Sequence, residues 1–520
     1  TCISTACGGP EERKAKYFSL AQEYLEAANY PKARVALRNV LKIDPKDAEA
    51  YYLFARVEEK EKNWRNAVQL YQETIRLAPD HTGALVTLAK YYLEAHMVEQ
   101  VSEVADKVLT HHSQHPQARA LKLAAQAVTE AEIPSVVPAA EALAAQFPAE
   151  PDVAILLATL YGQQHRYREA ESTLRRALEA HPRDMDLLNN WSLILTQAKD
   201  VASVEAVIRR MIEAEPKSMD HRLRLARFYI EQGSYSKAEA VLRDAVALAP
   251  EDEERRMVLA EYFVHRKDNA SAERVLLDAM TQMPHSNKIQ LGLATFYRKS
   301  GQDEKARGRY TALVEAHRDK PVGLEAKVKL AEMEFLAGRP AEAERQVEEV
   351  LKANPRASDG VILSGRMALA RRNGKDAVQA FRTVLHDQPE LATVHYLLGQ
   401  AHQLTGETNL AKESFERAVA LYPNQVDAKR SLAVLETRSG RYGQARTRLD
   451  ELLKQRPDDL DALDMLMTVD LVTKNWSGAE QTLQRLQAAV REHSLTYMAE
   501  GRLHQAQGRV ERAVAAYERA

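Results

Sequence analysis

Cysteine is nearly absent from this chain. Two occur in 520 residues, Cys2 and Cys7, both at the N-terminal end, so no disulfide framework holds the body of the fold. Charge of one sign is not in excess either: Lys plus Arg number 72 against 74 for Asp plus Glu, a net charge of −2. Proteins that hold nucleic acid without sequence preference depend on surplus Lys and Arg at phosphates, so no nucleic-acid partner is expected. Long apolar runs are missing too, and no helix is expected to cross a bilayer. Aromatics make up 6% of the chain, and much of that share recurs at fixed intervals.

Catalytic signatures are equally scarce. HExxH, CxxC, CxxCH and GxSxG do not occur. Gly360 and Gly365 have the glycine spacing of a phosphate-binding loop, but Arg366-Met367 stands where Lys-Ser/Thr is needed and no strand pattern precedes them. His111, His112 and His115 lack a cysteine or carboxylate at ligand spacing, so a solvated loop is expected there and not a metal site. The sequence therefore predicts no catalytic residue, no metal, no cofactor and no small-molecule substrate.

What the chain does have is a beat of prolines: Pro45, Pro79, Pro116, Pro148, Pro182, Pro216, Pro250, Pro284, Pro321, Pro355, Pro389, Pro423 and Pro457. Nine of the twelve gaps are 34 residues and the others 37, 32 and 37. Small residues run in phase, twelve positions before most of them, among them Ala33, Ala67, Ala170, Ala238, Ala411 and Ala479. A fixed period of this length marks a solenoid of stacked supersecondary units. Within one unit, Tyr17, Leu20, Ala21 and Tyr24 form one helical stripe and Ala33, Leu37 and Val40 a second. Asn29-Tyr30 turns the chain between them, and Pro45 closes the unit because it can open the next helix but not continue the last.

A bulky residue precedes a small one in the middle of each first helix. The small one reads Ala21, Ala55, Ala89, Ala124, Ala158, Ser192, Ala226 and so on, and only Met467 departs from Ala, Gly or Ser. The steric reading is that the two helices of a unit approach most closely there, with a wider crossing expected at Met467. With Ala67 and Tyr71 early in the second helix and Pro79 at the end, this pattern resembles the tetratricopeptide repeat (TPR) consensus over roughly residues 14–520. The resemblance implies an all-α solenoid, a right-handed superhelix of antiparallel helix pairs, with about 14 full repeats and a truncated last one. Residues 11–520 are expected to form one continuous array, and the chain to continue past Ala520. Loop insertions are expected near 110–116 and 317–321. A degenerate repeat is expected near 117–150, its second helix shortened by Pro134 and Pro138.

In TPR proteins, positions two, five, nine and twelve of the first helix line the concave groove. On that register Phe18, Tyr52, Arg56, Arg227, Arg366, Tyr396, Gln400, Arg430 and Arg502 are candidates for binding other proteins or peptides. Position two is repeatedly acidic, as at Asp152, Asp186, Asp220, Asp359 and Asp461, where a carboxylate offsets the helix dipole or lines a ligand ladder. The Lys and Asn pair of the chaperone-type carboxylate clamp is absent from positions five and nine.

Residues 1–10 differ from everything after them. Ser4-Thr5-Ala6-Cys7 resembles the end of a bacterial lipoprotein signal, with Cys7 lipidated and Gly8-Gly9 a tether. Gly8 after the cysteine is similar to lipoproteins sent to the outer membrane, which implies a periplasmic scaffold tied to the membrane by the lipid on Cys7. Such a lipobox ahead of a long array resembles the TPR lipoproteins of exosortase (PEP-CTERM) and exopolysaccharide export systems. Two alternatives stay open: the targeting arm of an enzyme such as a glycosyltransferase with its catalytic domain beyond Ala520, and a soluble cytoplasmic adaptor with Cys7 unmodified.

Overall fold

The computed structural model describes residues 9–127 and 129–520. Cys2 and Cys7, and with them the lipidation expectation, lie outside the described residues. The described chain is helices and short connections. They run α1 (Pro10–Glu26), α2 (Tyr30–Ile43), α3 (Ala48–Lys60), α4 (Trp64–Leu77), α5 (Thr82–Glu94) and α6 (Val98–His111). Next come α7 (Pro116–Gln126), α8 (Ile133–Gln146), α9 (Pro151–Gln163), α10 (Tyr167–Ala180), α11 (Met185–Gln197) and α12 (Val201–Ala214). The middle holds α13 (Met219–Glu231), α14 (Tyr235–Leu248), α15 (Glu253–His265), α16 (Asn269–Gln282), α17 (Asn287–Lys299) and α18 (Asp303–His317). Then follow α19 (Pro321–Leu336), α20 (Pro340–Ala353), α21 (Ser358–Ala370), α22 (Gly374–Asp387), α23 (Ala392–Thr405) and α24 (Thr408–Leu421). The series closes with α25 (Val426–Arg438), α26 (Tyr442–Gln455), α27 (Leu460–Val472), α28 (Trp476–Ala489), α29 (Ser494–Ala506) and α30 (Val510–Arg519).

Odd-numbered helices are the first of each pair (A) and even-numbered ones the second (B). Two compact units are distinguished, one ending at Leu259 and one beginning at Ala260, a boundary inside α15. Within each unit, α15 at the boundary aside, each helix packs on the next, and several A helices also touch the following A helix, as α9 does α11 and α21 does α23. Among the described residues, B helices make no comparable contact with each other. The A helices therefore form the inner layer of each unit.

The small residue of helix A sits where the sequence places the closest approach. A Cβ built on Gly365 would lie 2.6 Å from the Phe381 ring, on Gly399 2.5 Å from Phe415, and on Gly501 2.4 Å from Tyr517. Those rings come from the facing helix B; Ala55 also meets an aromatic sixteen residues on, Tyr71, so an aromatic partner does not by itself demand glycine. Where the partner sixteen residues on is aliphatic, as for Ala21 with Leu37 or Ala433 with Leu449, alanine fits and is buried. Met467 is also fully buried, with Leu483 packed against its cluster. Gly360 and Gly365 both lie in α21, so their spacing serves helix packing.

Among the described residues, fourteen of the A-to-B turns, all but that between α7 and α8, pass through one residue in the left-handed region. These recur as Ala28, Lys62, His96, His165, Lys199, Gly233, Lys267, Gly301, Gly338, Arg372, Gly406, Gly440, Lys474 and Gly508. The left-handed residue ends helix A and lets the next amide return to a carbonyl five residues back, as Asn63 does to Glu58 at 2.8 Å. At the non-glycine positions the turn costs about 1–2 kcal/mol each in backbone sterics.

Position eleven of helix A stitches one repeat to its neighbour in two chemical forms. In one, a tyrosine hydroxyl donates to a glutamate on the preceding B helix: Tyr229 to Glu205 at 2.6 Å and Tyr297 to Glu273 at 2.9 Å. In the other, a buried carboxylate takes the tyrosine's place and an arginine the glutamate's. Arg34 donates to Glu58 at 2.6 Å, and Arg446 to Asp470. Glu334 is gripped by both Arg307 of the preceding B helix and Arg339; Glu436, at the same position, is held instead within its own repeat, by Arg448 of α26 at 2.7 Å. The hydrogen bond from Arg339, seconded by Arg307, holds the Glu334 carboxyl below its ordinary value of 4.5 despite burial.

Three expectations need correction. No loop insertion exists near 110–116. Helices α5, α7 and α9 begin at 82, 116 and 151, so Pro116 has moved from the loop to the first helical position, where its missing N–H costs nothing. The 37-residue gap is a displaced proline. Near 317–321 the extra residues are helical: α19 spans 16 residues against 13 for α17 and α21, and Pro321 again opens the helix. Gly323 allows this, since a Cβ there would lie 2.3 Å from the Arg318 carbonyl oxygen. In the degenerate repeat the shortened helix is the first, α7 with 11 residues, whereas α8 keeps 14. Pro134 occupies its first turn, and Ile133, Val136, Val137, Ala140 and Leu143 bury a full apolar stripe that carries the helix through Pro138.

Two outcomes follow. Gly365→Ala lowers stability by about 1 kcal/mol by overpacking against Phe381. In a Phe381→Leu background the same change raises stability by about 1 kcal/mol through helix propensity. Denaturant melts of the four-member cycle check the sign reversal. The carboxylate of Glu334 is favoured in the fold, so its contribution is complete above about pH 4.5 and is lost as pH falls through and below that value. Glu334→Gln lowers the melting temperature at neutral pH and flattens the acid loss, which thermal melts across pH 3–8 read directly.

Candidate protein-binding face

The inner layer of A helices carries the nine candidates, and the structure gives them unequal freedom. Phe18 is half-buried against the first core cluster. Tyr52 lies between repeats, 4.5 Å from the His81 ring and 5.9 Å from Tyr71. Tyr396 accepts a hydrogen bond from Gln400 at 2.9 Å and packs 5.7 Å from Phe415. Arg366 pairs with Glu332 of the preceding repeat at 2.5 Å. Arg430 bridges Asp427 at 2.8 Å and Asp461 of the next repeat, and Arg502 reaches back to Asp464. Six of the nine thus hold one another or a neighbouring repeat, and Phe18 is part of the core. Arg56 and Arg227 are exposed and make no ion pair among the described residues.

Position-two carboxylates, offered by the sequence as dipole partners or a ligand ladder, mostly have a hydrogen-bonding or cationic partner waiting. Asp359 meets Lys329 at 3.3 Å and Glu49 meets His81 at 3.0 Å. The unit ending at Leu259 shows a longer-range version. Asp152 of α9 takes Lys90 of α5 at 2.6 Å, together with Gln117 of α7 at 2.6 Å. Asp220 of α13 takes Lys62, from the α3–α4 turn, at 2.7 Å. Burial pushes the Asp186 carboxyl up, reinforced by Asp184 and Asp152 and opposed by Lys90 and Lys60. Three aspartates at the starts of α9, α11 and α13 therefore face three lysines from α3 to α5, and this unit curls until its second repeat meets its seventh.

The histidine loop has a local job. His115 caps α7, its Nδ1 accepting from the Ala118 amide at 3.4 Å, as His81 does for α5 at 3.1 Å. Among the described residues no group of three or more His, Cys, Asp or Glu side chains could hold a metal ion, and no helix is long and apolar enough to cross a membrane.

Sequence reasoning missed Arg224. It lies at position six, half-buried, with its guanidinium on Asn189 Oδ1 at 2.8 Å and Ser192 Oγ at 3.1 Å. Burial alone pulls its pKa down. The available signal was an arginine spaced one helical turn from groove positions on a helix that already carried Arg227.

Paired helices stacked by nearest-neighbour contacts, with A helices inside, define an α-solenoid. The family is identifiable as well. Residues 345–497 match the family described as the cytochrome c-type biogenesis protein H TPR domain. Two further tetratricopeptide repeat families match at 59–125 and 195–262 and at 18–82, 155–218 and 291–360. The chain is a tetratricopeptide repeat protein, and its repeats make it a protein–protein interaction scaffold.

Similar solved structures include a chain of Naa15/Naa10 bound to HypK-THB, 12% identical with a TM-score of 0.50, covering 97% of this chain and 99% of that one. Another is a chain of the APC/C hetero-tetramer Cut9-Hcn1, 16% identical with a TM-score of 0.39, covering 88% and 96%. At these identities the likeness is one of fold. A protein CTR9 homolog of Arabidopsis thaliana is 30% identical over 128 residues, 24% of this chain and 12% of that protein's length. The match therefore spans about an eighth of that relative.

The facing rows of Lys and Asp lead to a measurable consequence. Lys62 and Asp220 are both well exposed, with side chains 67% and 70% accessible, and such a pair is worth roughly 0–1 kcal/mol. Spin labels at positions 65 and 217 report the separation. Lys62→Glu lengthens it, adding Asp220→Lys restores it, and about 1 M salt, where screening acts within about 3 Å, mimics the single reversal. An unchanged distance in Lys62→Glu means charge does not hold this closure.

Proposed function

We propose that the chain is a non-catalytic scaffold of the bacterial envelope, tethered by a lipid on Cys7 to the periplasmic face of the outer membrane. Its partners are proteins of an assembly or export machine of the exopolysaccharide or exosortase kind. The observation that carries the scaffold reading is the inner layer of A helices, repeated pair after pair in each unit, several of them touching the next A helix. Support for an assembly role comes from the match of residues 345–497 to a family named for c-type cytochrome biogenesis. The tether rests on Ser4-Thr5-Ala6-Cys7 followed by Gly8-Gly9.

In cells fed an alkyne palmitate, the native protein carries label and sediments with membranes, while Cys7→Ser carries none and becomes soluble. Equal labelling of the two contradicts the tether. A photo-crosslinking residue at position 56 or 227, both exposed on A helices, yields a discrete adduct with a partner protein. The same residue at Tyr422, which is 55% exposed in a B-to-A connection, yields none. Adducts confined to position 422 contradict binding on the inner face.

A further inference from the structure

A cleft of about 290 Å³ opens between α11, α12 and α13. Its apolar wall is Leu195, Val204, Ile208 and Phe228, and its rim carries Lys199, Arg224 and Arg227 against a single carboxylate, Glu231. The charge here is unusual for this chain. Inward-facing Arg366, Arg430 and Arg502 each have a carboxylate from their own or an adjacent repeat. Arg224 has only the neutral acceptors Asn189, Ser192 and, at 3.7 Å, the Met211 sulfur. Arg227 and Lys199 have no side-chain partner at all among the described residues. Half-burying a guanidinium without an anion costs free energy that a bound carboxylate would recover.

The size of the cleft narrows the occupant. Pockets for small molecules and cofactors run from about 300 to 1,000 Å³, so this one, at the lower edge and open to solvent, suits one or two side chains. Next to it Leu193 and Ile230, at groove positions nine and twelve, leave apolar surface 51% and 39% exposed. We propose that this cleft is a peptide subsite that takes a bulky apolar side chain against Phe228 and Val201, the latter 44% exposed, and an adjacent Asp or Glu side chain on Arg224 and Arg227. The partner segment is thus acidic and hydrophobic in alternation, and its recognition needs no free C-terminus. This assignment rests on the scaffold reading above and gives its inner face a ligand chemistry.

Fluorescence anisotropy on the full chain tests it with three labelled, C-terminally amidated peptides. One alternates aspartate with phenylalanine, one has asparagine for aspartate, and one has alanine for phenylalanine. The first binds, and the other two bind at least tenfold more weakly. Arg227→Gln, at an exposed position whose side chain supports no contact, weakens the first peptide at least tenfold without moving the melting temperature, and Val201→Ala, at an exposed position of the cleft, weakens it without altering the preference for aspartate over asparagine. Equal binding of the aspartate and asparagine peptides overturns the proposal, as does failure of the first peptide to bind. Binding that is indifferent to Arg227→Gln overturns it too, while leaving the scaffold reading to stand on the crosslinks from position 56.

Discussion

The structure depends on how closely the two helices of each repeat can approach at one point. At that point helix A offers hydrogen, methyl or hydroxymethyl in every repeat but that of Met467, and helix B answers with an aromatic or an aliphatic side chain whose size fits the space left. Gly365 with Phe381, Gly399 with Phe415 and Gly501 with Tyr517 are the tight extreme, and Ala21 with Leu37 the ordinary case. Close packing of this kind tolerates neither a void nor an extra methyl cheaply. Because the same junction returns every 34 residues, each pair buries its core against its neighbours, and the array needs no disulfide or metal to hold it.

Charge is layered on this packing with two purposes. At position eleven, Tyr–Glu and carboxylate–Arg pairs occupy the same junction between repeats, so the polar groups exchange roles while the hydrogen bond is kept. On the inner face, carboxylates are largely neutralised across repeats, by lysines as in Asp152–Lys90 and Asp359–Lys329 and by arginines as in Glu332–Arg366 and Asp461–Arg430. A protein-binding groove built this way is polar but largely self-satisfied, and the places where cations are left over are the informative ones. Arg224, Arg227 and Lys199 are such a place, and they coincide with the apolar wall of a cleft.

The fold was legible in the sequence because period and sterics act locally. Proline rhythm, small residues and turn aromatics all report on one repeat at a time. The same locality explains the misreadings. Pro116 and Pro321 look like displaced loop markers, and only helix starts at 116 and 321 show that they open helices. Pro134 and Pro138 look like breakers of a second helix, yet the buried stripe of α8 outweighs them and α7 is the shorter one. The left-handed turn residue was invisible since residues such as Lys62, His96, Lys199 and Lys474 fill it more often than glycine does. Candidate groove residues were placed on the right helices, but which of them are free depends on ion pairs such as Arg366–Glu332 between residues 34 apart. The closure of Lys62 on Asp220, 158 residues away, follows from the curl of a whole unit and has no local signal.

If stability is the sum of identical junctions between adjacent pairs, one period can be removed without harm to the others. Deleting Lys454–Gln487 fuses the start of α26 to the end of α28 in phase. Circular dichroism during a denaturant titration of that variant is the direct measurement. The account predicts unchanged helicity per residue and a cooperative transition close to that of the parent. Loss of helix throughout the chain, with no cooperative transition, would contradict it.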